Sequence, residues 1–323
     1  MKVIRDFEEA PNQNSITVVC VLRDEELLLP KFIEHYQNLG VTHFIFIDNG
    51  STDTSIELIQ KFCDEECRII LTYDSYAASN FGIDWAHKQL DLFCKNSWCS
   101  VVDVDEFILL DNNQSLKDLA QEMSSQKSNV CEFALCEFYP KSFPKTVDPF
   151  DPFAHSNYFD NFNDKDNYFK GKCAGNSFII KGGVRHRVFS EGKANNNSCC
   201  LNKKSFYYYD FYDTHSLSVG MHWLLPKDFT DWNNYSNWQT NNQHINYFKD
   251  KKIIAHFKFV KPDLIKYFDQ RLSRNEDWNN SSEYLLYKTK MKSSFFKKGY
   301  SEKFLSVKDL YAKTLRINDQ SRT

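Results

Sequence analysis

The first half of the chain alternates short apolar runs, rich in β-branched residues, with stretches whose apolar residues recur at helical spacing. This alternation is typical of βαβ units that feed a parallel sheet. We predict strands over residues 16–22, 43–47, 68–73, 99–104 and 130–138. Helices are predicted over residues 24–39 and 78–93, and two more begin at Thr54 and Ser115, where Glu57 and Asp118 stand at capping-box spacing.

The periodicity changes after Tyr139. Residues 139–176 are rich in Pro, Asp, Asn and Phe, and they are too many for a plain connector in a compact domain. A segment of this kind usually covers a site, and we expect it to do so here. Further strands are predicted over residues 177–181, 184–189, 206–211 and 252–259, followed by helices from Pro262 onward.

Two carboxylates, Asp103 and Asp105, emerge where the fourth predicted strand ends, with Val104 between them. The carboxyl ends of parallel strands are where α/β sheets bind ligands. Carboxylate oxygens suit Mg²⁺ or Mn²⁺, and such a cation can bridge a diphosphate and offset charge on a departing nucleotide. A solvated strand end or a helix-capping aspartate would use the same residues, so the spacing alone leaves both interpretations open.

A second polar segment follows the second predicted strand. Residues 48–53 read Asp-Asn-Gly-Ser-Thr-Asp, and a carboxylate at this place can accept hydrogen bonds from a ribose or a base. An ordinary βα turn with an Asx motif would use the same residues. The occurrence of both acidic motifs at successive strand ends favours a nucleotide site over chance.

These motifs resemble those of the glycosyltransferase family 2-like group, which has the GT-A fold. The likeness lies in residues 19–26, 48–53, 75–85 and 103–105, and more weakly in residues 182–189 and 256–259. It implies that Asp48 contacts the nucleoside, with Arg23 near it, and that Asp103 and Asp105 hold metal and diphosphate. Many relatives have a basic residue where this chain has Asn80. The full set of donor contacts expected from the resemblance is Arg23, Asp48, Asn49, Asp53, Asn80, Asp103, Val104 and Asp105.

The resemblance also implies a fold and a division of the chain. We expect an α/β, GT-A-like, Rossmann-type fold with a mixed, mostly parallel central sheet and C-terminal helices. Residues 1–138 would bind the nucleotide-sugar donor, residues 139–259 would form the acceptor and catalytic half, and residues 260–323 would form a helical extension.

A third metal ligand in such folds often comes from the far side of the site. His256 in the segment His-Phe-Lys-Phe is the candidate, because a neutral imidazole suits Mn²⁺. A strand histidine packed against Phe257 and Phe259 would look the same. His215 and His222 are lesser candidates.

An inverting transferase needs a carboxylate that deprotonates the acceptor hydroxyl. Glu137 is the candidate, since it ends the strand that follows the acidic cluster, and Glu191 and Asp213 remain open. Arg185 and Arg187 either grip a diphosphate or lie on a solvated strand face. Aromatic side chains that either stack on sugars or build core include Trp223, Trp232 and Trp238.

Composition narrows the remaining choices. A formal net charge of -3 gives no whole-chain reason to expect nucleic-acid binding, and ten cysteines without a Cys-x-x-Cys pair favour reduced thiols over zinc ligands. The first residues carry no apolar signal-like segment, so a cytoplasmic protein is expected. The basic stretch 285–323, with its aromatic residues, either lies on the inner face of an anionic membrane or packs on the domain, and the second interpretation is favoured.

The expected function is therefore transfer of a sugar, with inversion, from a nucleotide-sugar to a carbohydrate or lipid-linked glycan acceptor. UDP is the expected nucleotide and Mn²⁺ or Mg²⁺ the expected cofactor. One alternative is a non-catalytic carbohydrate-binding or scaffold protein of degenerate transferase origin. Another is a phosphatase of the haloacid dehalogenase type, although those enzymes place Asp-x-Asp on an early strand and usually have Thr or Val where this chain has Phe107.

Overall fold

The computed structural model of the protein describes residues 1–63, 66–111, 113–143, 151–172, 177–230, 244–277 and 279–314. The strands are β1 Lys2–Arg5, β2 Ile16–Leu22, β3 His43–Asp48, β4 Cys67–Leu71, β5 Trp98–Val101, β6 Glu106–Leu109, β7 Val130–Glu137, β8 Tyr158–Asp160, β9 Tyr168–Lys172, β10 Phe178–Gly182, β11 Asn202–Tyr208, β12 His215–Leu217, β13 Leu224–Pro226, β14 Lys252–His256 and β15 Ser301–Lys303. The helices are α1 Leu29–Asn38, α2 Ser55–Phe62, α3 Ile83–Phe93, α4 Leu116–Ser125, α5 Pro152–His155, α6 Gly183–Phe189, α7 Leu264–Arg274, α8 Ser282–Lys290 and α9 Val307–Thr314.

A nine-stranded sheet in the order β1-β4-β3-β2-β5-β11-β7-β14-β6 organises the described part of the chain. Strands β4, β3, β2 and β5 are mutually parallel, as are β7 and β14. Strand β11 lies between these two groups and is antiparallel to both β5 and β7, so the two groups run in the same direction. The edge strands β1 and β6 are antiparallel to their neighbours. The expected α/β fold with a mixed, mostly parallel sheet is confirmed.

Both faces of this sheet are buried, which explains why its strands read as continuous apolar runs. Successive side chains on a strand point to opposite faces. Accordingly, Val18 and Cys20 of β2 belong to one apolar cluster together with Phe46 of β3, whereas Val19 and Ile45 belong to the cluster on the other face. Strands β2 and β3 thus have no solvent-facing side.

Most predicted strands of the first half are confirmed within two residues of their ends, except the fourth, which stops at Val101. Strand β6, which begins at Glu106, is absent from the prediction. The acidic cluster therefore lies in a tight turn between β5 and β6, and not at the end of one longer strand. That turn fixes the geometry of the candidate site.

The predicted strand 184–189 is wrong, because Gly183–Phe189 forms helix α6. Gly182 and Gly183 have φ values of 115° and 75°, a backbone shape that turns the chain out of β10 and into a helix. Val184 and Val188, four residues apart, are both buried and lie on one face of it. A seven-residue stretch is too short for period alone to separate strand from helix.

The two predicted helix caps have different outcomes. Ser115 and Asp118 form the expected capping box at α4. Thr54 precedes α2, but its side chain makes no cap; its hydroxyl donates to Oε2 of Glu26 at 2.7 Å. The predicted helix 24–39 begins only at Leu29, because residues 24–28 form a loop that binds the turn after β3.

The segment between α8 and α9 packs on the domain through aromatic side chains. Phe295 is 1% exposed and packs edge-on against Phe259 and Phe189, while Phe304 packs against Phe138. In the described part of the basic stretch, Phe295 is thus a core residue and Phe304 is partly buried against the core, as expected for a segment that packs on the domain. Among the helices that the structure describes, none is both long enough and apolar enough to cross a bilayer.

Candidate active site

The turn between β5 and β6 brings Asp105 beside a histidine that is distant in sequence. Strand β14 pairs with β6 so that His256 lies opposite Glu106. Nε2 of His256 is 3.4 Å from Oδ2 of Asp105, and the backbone N–H of Phe257 donates to the carbonyl of Asp105 at 2.8 Å. Two of the three predicted metal ligands, Asp105 and His256, therefore meet because β14 is hydrogen-bonded next to β6.

Asp105 and His256 each favour the charged form of the other. Burial lowers the pKa of His256, but the carboxylates of Asp105 and Glu137 outweigh burial and raise it to about 9. Burial raises the pKa of Asp105, but the imidazolium of His256 outweighs that effect and holds the pKa below its usual range. Asp105 is thus a carboxylate at neutral pH, and the imidazolium of His256 beside it must lose a proton before its nitrogen can bind a cation.

Lys203 of β11 is a buried cation next to the acidic turn and is not among the predicted site residues. Its Nζ contacts Oε1 of Glu106 and lies 3.2 Å from Oδ2 of Asp103. Burial lowers the pKa of Lys203, but these two carboxylates more than compensate and raise it. Oε2 of Glu106 also accepts from the backbone N–H of Asp103 at 3.3 Å. Glu106 is therefore occupied by contacts that hold the turn in shape.

The residues present fit a divalent cation. Among the described residues, ligand atoms of Asp105, Glu106 and His256 lie within 4.8 Å of one another. Carboxylate oxygen and imidazole nitrogen are suitable ligands for Mn²⁺, and Mg²⁺ also binds carboxylates. The predicted pair of Asp103 and Asp105 is thus only partly reflected in this group, in which Glu106 and not Asp103 accompanies Asp105.

A cavity of about 280 Å³ opens in front of this turn. Its lining includes six of the residues expected to contact donor or metal, namely Arg23, Asn49, Asp103, Val104, Asp105 and His256. The opposite wall comes from α7, α8 and the residues between them, which carry basic and aromatic side chains. The lining residues that are not among the predicted site residues include Tyr76, Tyr267, Arg271, Arg274 and Tyr284.

The cationic side chains of the cavity are held by carboxylates. Arg271 makes a two-bond contact with Asp277, and Arg274 pairs with Asp24. Nη1 of Arg23 lies 3.7 Å from Oε2 of Glu276. A row of basic side chains facing a carboxylate turn is a suitable environment for a diphosphate between them.

Asp48 and Asp53 stabilise the turn after β3 and do not line the cavity. Asp48 is 1% exposed, and its carboxylate accepts hydrogen bonds from the backbone N–H and the hydroxyl of Ser51. Asp53 accepts from the backbone N–H groups of Glu26 and Ser55. In this structure both aspartates make the Asx-type contacts of an ordinary βα turn, while Asn49 between them reaches the cavity.

Asn80 has a left-handed backbone with φ of 50° and donates to Asp84 at 2.8 Å. It lines a second, neighbouring cavity and not the one in front of Asp105. His222 lines that second cavity too, and burial lowers its pKa to about 3. His215 and the described residues of the predicted covering segment line neither cavity.

Glu137 lies behind the site. Its side chain is 3% exposed, pairs with Nε of Arg185, and has Oε1 3.7 Å from Nδ1 of His256. Burial raises the pKa of Glu137, but Arg185 outweighs it and lowers the pKa. Glu137 lines neither cavity, and Glu191 and Asp213 do not line them either. A base must reach its substrate, so this placement does not suit the predicted role of Glu137.

The two arginines of the predicted diphosphate grip both lie in helix α6, but their side chains contact different partners. Arg185 lines the second cavity, whereas Arg187 makes two 2.8 Å contacts with buried Asp160. Of the candidate sugar-stacking residues, Trp223 lines the second cavity, and Trp232 and Trp238 lie outside the described residues. None of the described cysteines forms a disulfide.

Comparison with solved structures gives distant similarities. A glucosyl-3-phosphoglycerate synthase from Mycobacterium tuberculosis, in complex with Mn²⁺, UDP and glucosyl-3-phosphoglycerate, is 16% identical, with 39% of this chain and 44% of that chain covered and a TM-score of 0.25. A UDP-glucose pyrophosphorylase from Acinetobacter baumannii is 10% identical, with 86% and 100% covered and a TM-score of 0.36.

Sequence comparison gives a match over most of the chain. A glycosyltransferase family 92 protein of Ricinus communis is 26% identical over 141 residues, which are 43% of this chain and 25% of that protein. The chain thus matches about a quarter of the length of this curated relative. The family model of glycosyltransferase family 92 matches residues 17–293. That range covers most of the chain, and the matching model is that of family 92, whereas the motifs suggested the family 2-like group. The chain therefore belongs to glycosyltransferase family 92.

Proposed function

We propose that this protein transfers a sugar, with inversion, from a UDP-sugar to a carbohydrate acceptor, with the help of a divalent cation. The observation that carries the proposal is the contact between Asp105 and His256. These residues are distant in sequence, yet they meet at a strand end beside a cavity lined with basic and aromatic side chains. This combination supports a nucleoside diphosphate donor.

Asp105 and His256 would hold the cation, with Asp103 or Glu106 contributing a further oxygen. Mn²⁺ or Mg²⁺ bound there would neutralise the charge that develops on the departing diphosphate. Arg23, on the loop after β2, would add its guanidinium to the diphosphate oxygens, because charge-assisted hydrogen bonds to phosphate are strong.

The aromatic side chains of the cavity provide a place for the base. Tyr76 lies beside the acidic turn, while Tyr267 and Tyr284 come from α7 and α8. Aromatic faces favour flat ring systems, and the side chain of Asn49 offers polar contacts nearby. UDP, the nucleotide expected from the sequence motifs, is the first nucleotide to test.

Purified protein incubated with a panel of nucleotide-sugars and Mn²⁺ should release nucleotide slowly from one donor, without any acceptor. The cavity should admit a UDP-sugar, and water should then replace the acceptor hydroxyl. Nucleotide release, followed by chromatography, should stop when EDTA removes the cation and resume when Mn²⁺ is added back. Release that is equally fast in EDTA would contradict a cation-dependent donor site.

A further inference from the structure

A second cavity, of about 1230 Å³, adjoins the one in front of Asp105. Ile83, Val219, Gly220 and Glu283 line both cavities, so the two spaces meet at these residues. Gly220 has φ of 67°, and a Cβ there would lie 2.9 Å from the ring of His222. The close backbone approach at the junction thus depends on glycine.

One wall of the second cavity is a face of helix α3. The lining residues Asp84, His87, Lys88, Asp91 and Leu92 recur at the spacing of neighbouring turns. Four of them are exposed, and Leu92 retains 60% of its accessible surface although it is apolar.

The other wall comes from the β12–β13 hairpin and its flanks, which supply Ser216, Trp223 and Lys227. The mixture of hydroxyl, ammonium, imidazole and carboxylate groups with an indole ring is typical of surfaces that bind sugars, whose hydroxyls need partners and whose ring faces are apolar. Because this cavity is larger than the donor cavity, it has room for several sugar units.

Glu283 is the carboxylate that lines both cavities in the part of the chain described. It stands in the first turn of α8 with 41% of its side chain exposed. Nη1 of Arg185 donates to its Oε1 at 3.2 Å, and Nζ of Lys258 is 4.0 Å away. Burial raises its pKa, but Lys258 and Arg185 outweigh burial and lower it, so the group is ionised at neutral pH.

Arg185 links Glu283 to the metal side of the site. Its guanidinium contacts Glu283 through Nη1 and Glu137 through Nε, and Glu137 in turn lies against His256. The carboxylate at the cavity junction is therefore positioned by the same arginine that contacts the buried carboxylate behind the cation ligands. Glu137 is a positioning residue in this arrangement.

We propose that the second cavity binds a glycan acceptor and that Glu283, at the junction, is the base that takes the proton from its reacting hydroxyl. This inference rests on the proposed function. The acceptor oxygen forms a bond to the anomeric carbon while the bond from that carbon to the diphosphate oxygen breaks. The proton passes to a carboxylate oxygen of Glu283, and the electron pair of the broken bond leaves with UDP.

The first test replaces Glu283 by glutamine and uses hydrolysis of the donor that the native enzyme accepts. Glu283→Gln should lower turnover about 100-fold, since general-base catalysis contributes 10²–10⁴-fold. Sodium azide should restore turnover and yield a glycosyl azide of inverted configuration, because azide is a nucleophile that has no proton to lose. The product and its configuration can be read by NMR.

Asp269→Asn is the matched control, because Asp269 of α7 pairs with Lys288 of α8, the helix that carries Glu283, and lines neither of these cavities. It should retain native turnover. If Glu283→Gln keeps native turnover, or loses it without rescue by azide while still binding UDP, the assignment of the base is wrong. A native enzyme that hydrolyses no donor would instead overturn the proposed function itself.

The second test narrows the acceptor cavity. Leu92→Trp should lower the ratio of transfer to hydrolysis at least about tenfold, measured with labelled donor on an array of immobilised oligosaccharides. Leu305→Trp is the control, as Leu305 is similarly exposed at 68% and lies outside both cavities. An unchanged ratio in Leu92→Trp would overturn the acceptor assignment, as would a native enzyme that hydrolyses donor but labels no glycan.

Discussion

Replacing Asp105 by alanine should lower metal-dependent turnover of the donor by roughly 10³-fold. The cation contributes several kcal/mol of charge stabilisation in such reactions, and about 1.4 kcal/mol corresponds to each factor of ten. Oδ2 of Asp105 lies 3.4 Å from Nε2 of His256, and ligand atoms of Asp105, Glu106 and His256 lie within 4.8 Å of one another. Release of UDP, measured with saturating Mn²⁺ and donor, checks the prediction.

A suitable control is Asp6→Ala. Asp6 is also paired with a basic residue, Arg68, but it lies beyond β1 at the far edge of the sheet, and its side chain is 57% exposed. This variant should keep native turnover. Thermal unfolding of both variants would show that each is folded. An Asp105→Ala enzyme that is folded and as active as the native protein would contradict the assigned role of the acidic turn.

Replacing Arg187 by methionine should lower the free energy of unfolding by about 3–5 kcal/mol, the usual cost of leaving one partner of a buried ion pair behind. Asp160, its partner, is 2% exposed and belongs to β8, which pairs with β15 near the C-terminus. Arg187 also donates to the carbonyl of Phe295 at 2.9 Å. Urea unfolding followed by tryptophan fluorescence provides the measurement.

Lys193→Met is the matched control for this prediction. Lys193 also pairs with an aspartate, Asp166, at 2.7 Å, but the two side chains are 76% and 59% exposed. Exposed pairs contribute about 0–1 kcal/mol, so this variant should unfold almost as the native protein does. Equal losses in the two variants would show that burial of Asp160 does not set the stability of this region.

The parts of the fold that the sequence predicts well are those governed by local pattern. Strands β2 and β3 are predicted because buried parallel strands need apolar residues on both faces, and this leaves an unbroken run in the sequence. Helix α6 is not predicted, because its seven residues fit both the helical and the strand period. Strand β6 is missed since the tight turn before it reverses the chain within four residues, without a glycine or proline to mark it.

In the candidate site too, the residues that the sequence predicts are those that belong to a local motif. Asp103, Asp105 and His256 are predicted from motifs, and they line one cavity. Lys203 and Glu283 are not predicted, because their roles depend on partners about 100 residues away, Asp103 and Arg185 respectively. Sequence pattern gives the residue types near a strand end, but it does not show which distant side chains neutralise them.

One physical reason explains why some predicted site residues do not line the cavity. Asp48 and Asp53 are polar residues at a strand end, where ligand contacts and turn contacts require the same chemistry, and in this structure the turn engages both carboxylates. Glu137 ends its strand as predicted, but the neighbouring helix α6 places Arg185 against it. Only three-dimensional packing separates a carboxylate at the cavity from one behind it.

Calorimetry can measure whether a cation held by Asp105 and His256 assists the binding of a nucleoside diphosphate. Native protein should be titrated with UDP in the presence and in the absence of Mn²⁺. We expect Mn²⁺ to strengthen binding at least about tenfold, a difference of roughly 1.4 kcal/mol. Equal affinity under the two conditions, or no binding of UDP under either, would contradict a site at Asp105 and His256 where a cation assists nucleotide binding.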